Sequence, residues 1–193
     1  MTRRAVLTWG SLAWSGRLLP AQTIHLTSNA QSVFTLEVKK TGLMAGKKHH
    51  LVFSQYEGTV SQQPSPQIAF TVQANSLVCQ DDWVKPKDKE KITRYAIDNL
   101  LEARKYPTLR YQSTAVRPNS DGYTITGNLT IKDETRPVSV KVVHQGNSGM
   151  VWTGEATIRL TDFNLKPPTA ALGAIGTEDT MLLLFRLASE GSA

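Results

Sequence analysis

The feature that most limits what this chain can fold into is an alternation of period two, which runs through most of it after Gln22. In Tyr123-Thr-Ile125-Thr-Gly127-Asn-Leu129-Thr-Ile131 every second residue is apolar or glycine. In a strand those residues share one face. Ser32-Val-Phe34-Thr-Leu36-Glu-Val38 and Gln67-Ile68-Ala-Phe70-Thr-Val72-Gln-Ala74 repeat the pattern. Further candidate strands cover 50–60, 108–116, 137–144, 152–161 and 180–188, rich in β-branched and aromatic residues. Turn signals separate them at Thr41-Gly42, Pro64-Ser-Pro66, Pro118-Asn-Ser-Asp-Gly122 and Asn147-Ser-Gly149. The spacing predicts an all-β, antiparallel domain of about eight strands.

One stretch departs from this rhythm. Asp88 is a plausible N-cap, and Ile92, Ala96, Leu100 and Ala103 recur at helical spacing, with Ile97 and Leu101 widening the stripe. Tyr106-Pro107 should stop this helix near Lys105. A lone amphipathic helix inserted mid-chain must lie against the sheet or over its open end. So many strands leave a sandwich or a closed up-and-down barrel. An eight-stranded barrel is either filled by side chains or holds one small ligand, and the alternation does not choose between them.

Composition narrows the function classes. With 193 residues, 40% apolar and 20% charged, the chain can bury one substantial core. No apolar run reaches the roughly 20 residues of a spanning helix, which excludes an integral membrane protein of that kind. The single cysteine, Cys79, excludes an intrachain disulfide, a multi-cysteine zinc site and a CxxC pair, and reads as a small buried hydrophobe. Of the net charge of +6, half comes from Arg3, Arg4 and Arg17. Elsewhere bases alternate with acids, as Lys85, Lys87, Lys89 and Lys91 do with Asp81, Asp82, Asp88 and Glu90. Nucleic-acid binders concentrate charge on a stripe, so nucleic acid is not the expected partner. Met1-Thr-Arg-Arg4, the apolar stretch that follows and Leu18-Leu-Pro-Ala21 form the three regions of a secretory signal, interrupted by Arg17. Residues 1–21 are therefore expected to be an export signal, and 22–193 the mature domain, periplasmic or secreted.

Motifs for chemistry are missing: there is no GxGxxG, GxxxxGK[ST], HExxH or GxSxG. His49 and His50 would point to opposite faces of a strand, so one should meet solvent and the other make a hydrogen bond inside or at the rim, without a metal. Asp81-Asp82 and Asp133-Glu134 read as solvated acids at strand ends. Gly58 and Gly127 read as points of bending or close backbone approach.

With these residues in view, the chain resembles the YceI-like (polyisoprenoid-binding) family over nearly all of 22–188. The similarity is carried by Ser32–Val38, by His49-His50-Leu-Val-Phe53-Ser-Gln-Tyr56-Glu-Gly58-Thr-Val60, and by Tyr106-Pro107-Thr-Leu109-Arg-Tyr111-Gln-Ser113-Thr114. Its most specific part is Tyr123–Ile131 followed by Thr135-Arg136-Pro137-Val138. Asp162-Phe163-Asn-Leu-Lys166-Pro167-Pro168 with Gly173-Ala-Ile-Gly176 is similar to the tail of one subgroup. Lys132-Asp133-Glu134 stands where the family usually has a glycine, so an altered turn is expected there.

The resemblance implies an extended, lipocalin-like closed antiparallel barrel, commonly exported in bacteria, that encloses a long-chain isoprenoid or similar amphiphilic lipid. It implies no catalytic residue, metal or cofactor, and a homodimer stays open. The expected lining is Phe34, Leu36, Phe70, Val72, Tyr111, Ile125, Leu129, Ile158 and Phe185, all on alternating apolar faces. Phe53 and Tyr56 differ by an odd number, so without a bulge only one of them faces inward. His49 and Trp83 are placed at the rim. The expected function is non-enzymatic binding, sequestration or transport of that lipid. The alternatives are a filled structural or stress-related barrel acting through its surface and, third, a lipid-handling enzyme using His49 or His50 with a carboxylate.

Overall fold

The computed structural model describes residues 23–29, 32–61, 65–145 and 151–188. The expected export signal lies outside them, as do Pro64 and the Asn147-Ser-Gly149 turn. The strands are β1 (Thr23–Thr27), β2 (Val33–Gly42), β3 (Lys48–Phe53), β4 (Tyr56–Ser61), β5 (Gln67–Gln73), β6 (Leu77–Cys79), β7 (Thr108–Pro118), β8 (Tyr123–Ile131), β9 (Glu134–Gln145), β10 (Val151–Arg159), β11 (Thr169–Ala170) and β12 (Ile175–Ala188). One helix, α1 (Pro86–Tyr95), lies between β6 and β7.

Every strand pair is antiparallel. Hydrogen bonding follows one path, β1-β4-β5-β7-β8-β9-β10-β12-β2-β3-β6, with β11 attached to β12. The path curls back on itself. Phe34 on β2 meets Tyr56 on β4 edge to face, ring centroids 4.7 Å apart, and Phe70 on β5 at 5.6 Å. Strands near opposite ends of the path thus share one apolar core. Register shifts at Ser113/Ala115 and Thr177/Met181 insert bulges, which raise the local twist a curled sheet needs.

The expectation of a closed barrel of about eight strands is met in part. The fold is antiparallel β with a single helix, but among the described residues the strands number twelve and their pairing path has two ends, at β1 and β6. The stretch expected as one strand over 50–60 is cut at Ser54-Gln55. There the backbone leaves the ladder: Ser54 N–H donates to the Ser76 carbonyl (3.3 Å) and Gln55 N–H to Ser76 Oγ (3.2 Å). A short 3-10 turn, Ala74–Ser76, cuts the facing strand between β5 and β6. The short strands β1 and β11 went unforeseen.

The helix begins two residues before the expected cap. Lys85 occupies the N-cap without a side-chain bond, and Pro86 takes the first helical position, where its fixed φ is preorganised. After Tyr95 the helix widens into a π-turn, Ala96–Leu100, in which Leu101 N–H reaches the Ala96 carbonyl (2.9 Å). It ends short of the Tyr106-Pro107 stop, with Glu102 in the left-handed region at φ 50°. Ala96, Leu101 and Ala103 are buried, and Ile92, Ile97 and Leu100 pack against the core.

Three contacts hold this lid to the sheet. Cys79 N–H donates to Thr93 Oγ1 (2.9 Å), Tyr106 Oη–H to Asp133 (3.2 Å), and Lys132 pairs with Glu102. Lys132 sits at φ 59° in the tight β8–β9 turn, the altered turn expected from the sequence, in a conformation that glycine adopts at less cost.

Phe34 joins β2, β4, β5 and, through Phe185 at 5.6 Å, β12. Phe34→Ala is expected to lower stability by about 3 kcal/mol, read from the urea midpoint. A loss below about 1 kcal/mol, ordinary for a surface change, would contradict the role given to this ring.

Candidate functional site

The curled sheet encloses a cavity of about 150 Å³. Alternation puts one parity of each strand on its wall: Phe34 and Leu36 from β2, Leu51 and Phe53 from β3, Ile68, Phe70 and Val72 from β5, Leu109 and Tyr111 from β7. Ile125, Leu129 and Ile131 on β8, Val138 and Val140 on β9, Ile158 on β10, and Met181, Leu183 and Phe185 on β12 continue it. Ala96, Leu100 and Leu101 close one end from the helix side, beside Leu160 and Leu165. Arg110 is the one charged residue bordering the cavity, and it is exposed, its Nε donating to Thr108 Oγ1 (3.4 Å).

Phe34, Leu36, Phe53, Phe70, Val72, Tyr111, Ile125, Leu129, Ile158 and Phe185 all border this space. Phe53 and Tyr56 are both buried, because Ser54-Gln55 resets the alternation between them. Leu183 shares parity with Phe185, so the pattern held the signal for it. The contribution of Leu100 and Leu101 carried no such signal, because a stripe does not say what it covers.

Three rings lie where only glycine leaves room. A Cβ on Gly58 would meet Phe70 at 2.3 Å, one on Gly154 would meet Phe185 at 2.3 Å, and one on Gly127 would meet Tyr111 at 2.5 Å. Each ring is thereby laid along the wall, not across the lumen. Tyr111 Oη–H donates to the Ile125 carbonyl (3.2 Å), and burial pushes its pKa up to about 12, so the phenol remains a neutral donor. Gly58→Ala and Gly154→Ala should each cost about 1–3 kcal/mol by overpacking, read by thermal denaturation. Unchanged or raised stability would mean that the rings are free to move aside.

His49 and Trp83 do not border the cavity. They stack on each other at the lid end, centroids 5.4 Å apart, with Trp83 Nε1–H donating to the Lys48 carbonyl (3.0 Å). His49 shares parity with Leu51 and Phe53 and is buried, but its Nδ1–H is taken by Asp81. Asp81 is not the solvated turn acid expected from the sequence: it is fully buried. It accepts from His49, from the His50 N–H (2.6 Å) and from the Cys79 thiol (3.2 Å). Burial pulls its carboxyl upward, but these donors outweigh that and hold it below the usual carboxylate range. Burial pushes the Cys79 thiol up to about 11, keeping it protonated. His50 lies half-exposed, its Nε2 3.5 Å from Glu37.

His49, Cys79 and Asp81 offer one metal-ligand atom each, all within 4.8 Å of one another. A metal there would have to displace the His49 and Cys79 protons, two of the three that now satisfy Asp81, so the cluster reads as a clasp between β3, β6 and the chain leading into α1. Asp81→Ala should destabilise by about 3–5 kcal/mol, leaving buried donors unpaired. Because the folded pKa is depressed, Asp81 contributes stability above the unfolded carboxylate value and loses it as pH falls. The gap between wild type and Asp81→Asn in melting temperature should therefore narrow below about pH 4. A gap constant down to acid pH would contradict the clasp.

Comparison with known proteins agrees with this architecture. A model of the YceI-like domain matches residues 26–187. A UPF0312 protein of Pseudomonas paraeruginosa is 30% identical over 142 residues, 68% of this chain and 69% of that protein. Among solved structures, BcnA of Burkholderia cenocepacia superposes with a TM-score of 0.61 at 21% identity, covering 84% of this chain and 99% of that one. A polyisoprenoid-binding domain from Saccharophagus degradans, implicated in plant cell wall breakdown, gives 0.59 at 11% identity, covering 89% and 100%. With a domain match over most of its length and the same curled antiparallel sheet, the chain belongs to the YceI-like family.

Proposed function

We propose that the protein is a non-enzymatic binder and carrier of a long-chain isoprenoid or similar amphiphilic lipid, held in the interior of the curled sheet. The observation that carries this reading is the cavity itself. At roughly 24 cal/mol per Å³ of void, 150 Å³ costs about 4 kcal/mol, a large part of a typical stability margin. A void of that cost, walled by apolar side chains and kept open by rings laid over glycines, fits a ligand site better than a packing fault.

The strand order supports a closed tunnel. β2 pairs with β3, and β5 with β4. β3 runs into β4 across Ser54-Gln55 alone, so the covalent chain brings the two ends of the pairing path together. The polyisoprenoid-binding domain named above shares this fold, which supports a lipid as the ligand class. The lumen is smaller than the roughly 300–1,000 Å³ of pockets that bury drug-sized molecules. A long chain therefore enters by displacing Leu100 and Leu101 with the lid. The three-part N-terminal pattern of residues 1–21 supports action outside the cytoplasm.

The modest volume favours one other reading, a filled barrel acting through its surface. Titration with a long-chain prenyl alcohol separates the two. Leu129→Trp fills the lumen with an apolar group and should weaken uptake about ten-fold or more while the fold is kept. Equal uptake by wild type and variant, or none by the wild type, would overturn the tunnel assignment.

A further inference from the structure

Two loops at the lid end project leucines that bury nothing. The β2–β3 connection carries Leu43, 80% exposed, and the turn after β11 carries Leu172, fully exposed. The loops are locked side by side. Leu43 N–H donates to the Ala174 carbonyl (3.0 Å), and Gly42 approaches that same carbonyl so closely that a Cβ would stand 2.1 Å from it.

The second turn is also strained. Ala171 and Leu172 are consecutive non-glycine residues in the left-handed region, at φ 49° and 55°. Such a conformation normally gains something from its surroundings, yet this one ends in a leucine standing in water. Lysines surround the tips: Lys39 and Lys48 on the flanking strands, and Lys47, whose N–H and carbonyl close the loop with Met44 and Lys40. Glu37 and Glu178 lie near Lys48 and Lys39 at 2.8 and 4.0 Å, whereas no acid lies within ion-pair distance of Lys47 among the described residues.

We propose that these paired tips are a membrane-docking surface, in which Leu43 and Leu172 insert into the interface of an anionic bilayer while the surrounding lysines meet its headgroups. Apolar tips within a basic collar combine the two forces that hold proteins at such a surface. The surface lies at the end covered by the helix, since Trp83 on the chain leading into α1 bonds to Lys48 beside the loop. Docking would thus bring the lid to the bilayer. That purpose rests on the lipid-carrier reading; the docking itself does not.

Flotation of the full chain with vesicles tests this. Wild type should float with phosphatidylcholine–phosphatidylglycerol vesicles, less with phosphatidylcholine alone, and should be released by salt. Leu43→Ser with Leu172→Ser should weaken partition about ten-fold or more, and Lys47→Gln should lower the anionic preference. Titration of the same leucine variant with prenyl alcohol reads the interior separately: retained uptake with lost flotation locates the effect at the tips. Wild type that stays in solution with anionic vesicles, or a leucine variant that floats equally well, would overturn the proposal. So would leucine tips that prove to mediate self-association without vesicle binding.

Discussion

A curled sheet can keep an apolar lumen only if its large side chains lie along the wall, and here that depends on rings meeting glycines. Phe70 over Gly58, Phe185 over Gly154 and Tyr111 over Gly127 each use the space a Cβ would fill. Any other residue at those glycines would push a ring inward and convert the interior into an ordinary core. Phe34 then ties the arrangement together, because its ring touches β4, β5 and β12 at once. The aromatic residues thus both hold the curl and shape the space within it.

The lid end obeys a different physics. Ala96, Leu100 and Leu101, which follow the polar helix, cover the lumen, but the position of the whole segment is set by polar contacts: Thr93 to the Cys79 backbone, Glu102 to Lys132, and the buried carboxylate of Asp81 with three donors around it. A buried charge so fully satisfied is costly to disturb, since each donor left behind would be unpaired. The chain leading into the helix is therefore fixed by buried contacts, while beyond the π-turn Glu102 and Tyr106 are tied to Lys132 and Asp133 nearer the surface.

Much of the wall was legible in the sequence, because period-two alternation is a local property. Parity puts Phe34, Leu36, Phe70, Val72, Ile125, Leu129 and Phe185 on common faces, the resemblance turns those faces inward, and the residues do border the lumen. Parity failed where the ladder breaks. Nothing in Phe53-Ser-Gln-Tyr56 announces that Ser76, far along the chain, captures both intervening N–H groups. Asp81 was misread for the same reason: next to Asp82 it looks like a solvated turn, and its partner His49 is 32 residues away. The helix start was missed because a proline at the first position substitutes for a capping side chain. Local chemistry was readable, and contacts made by the closure of the sheet were not.

The central claim is that the interior is a site and not a packing fault. Native mass spectrometry of the purified protein, followed by solvent extraction of whatever is released, tests it most directly. The account predicts a mass raised by one long-chain amphiphile, recovered as an isoprenoid-class lipid, or the same complex formed after incubation with one. A ligand-free mass that persists after incubation with prenyl lipids would contradict it.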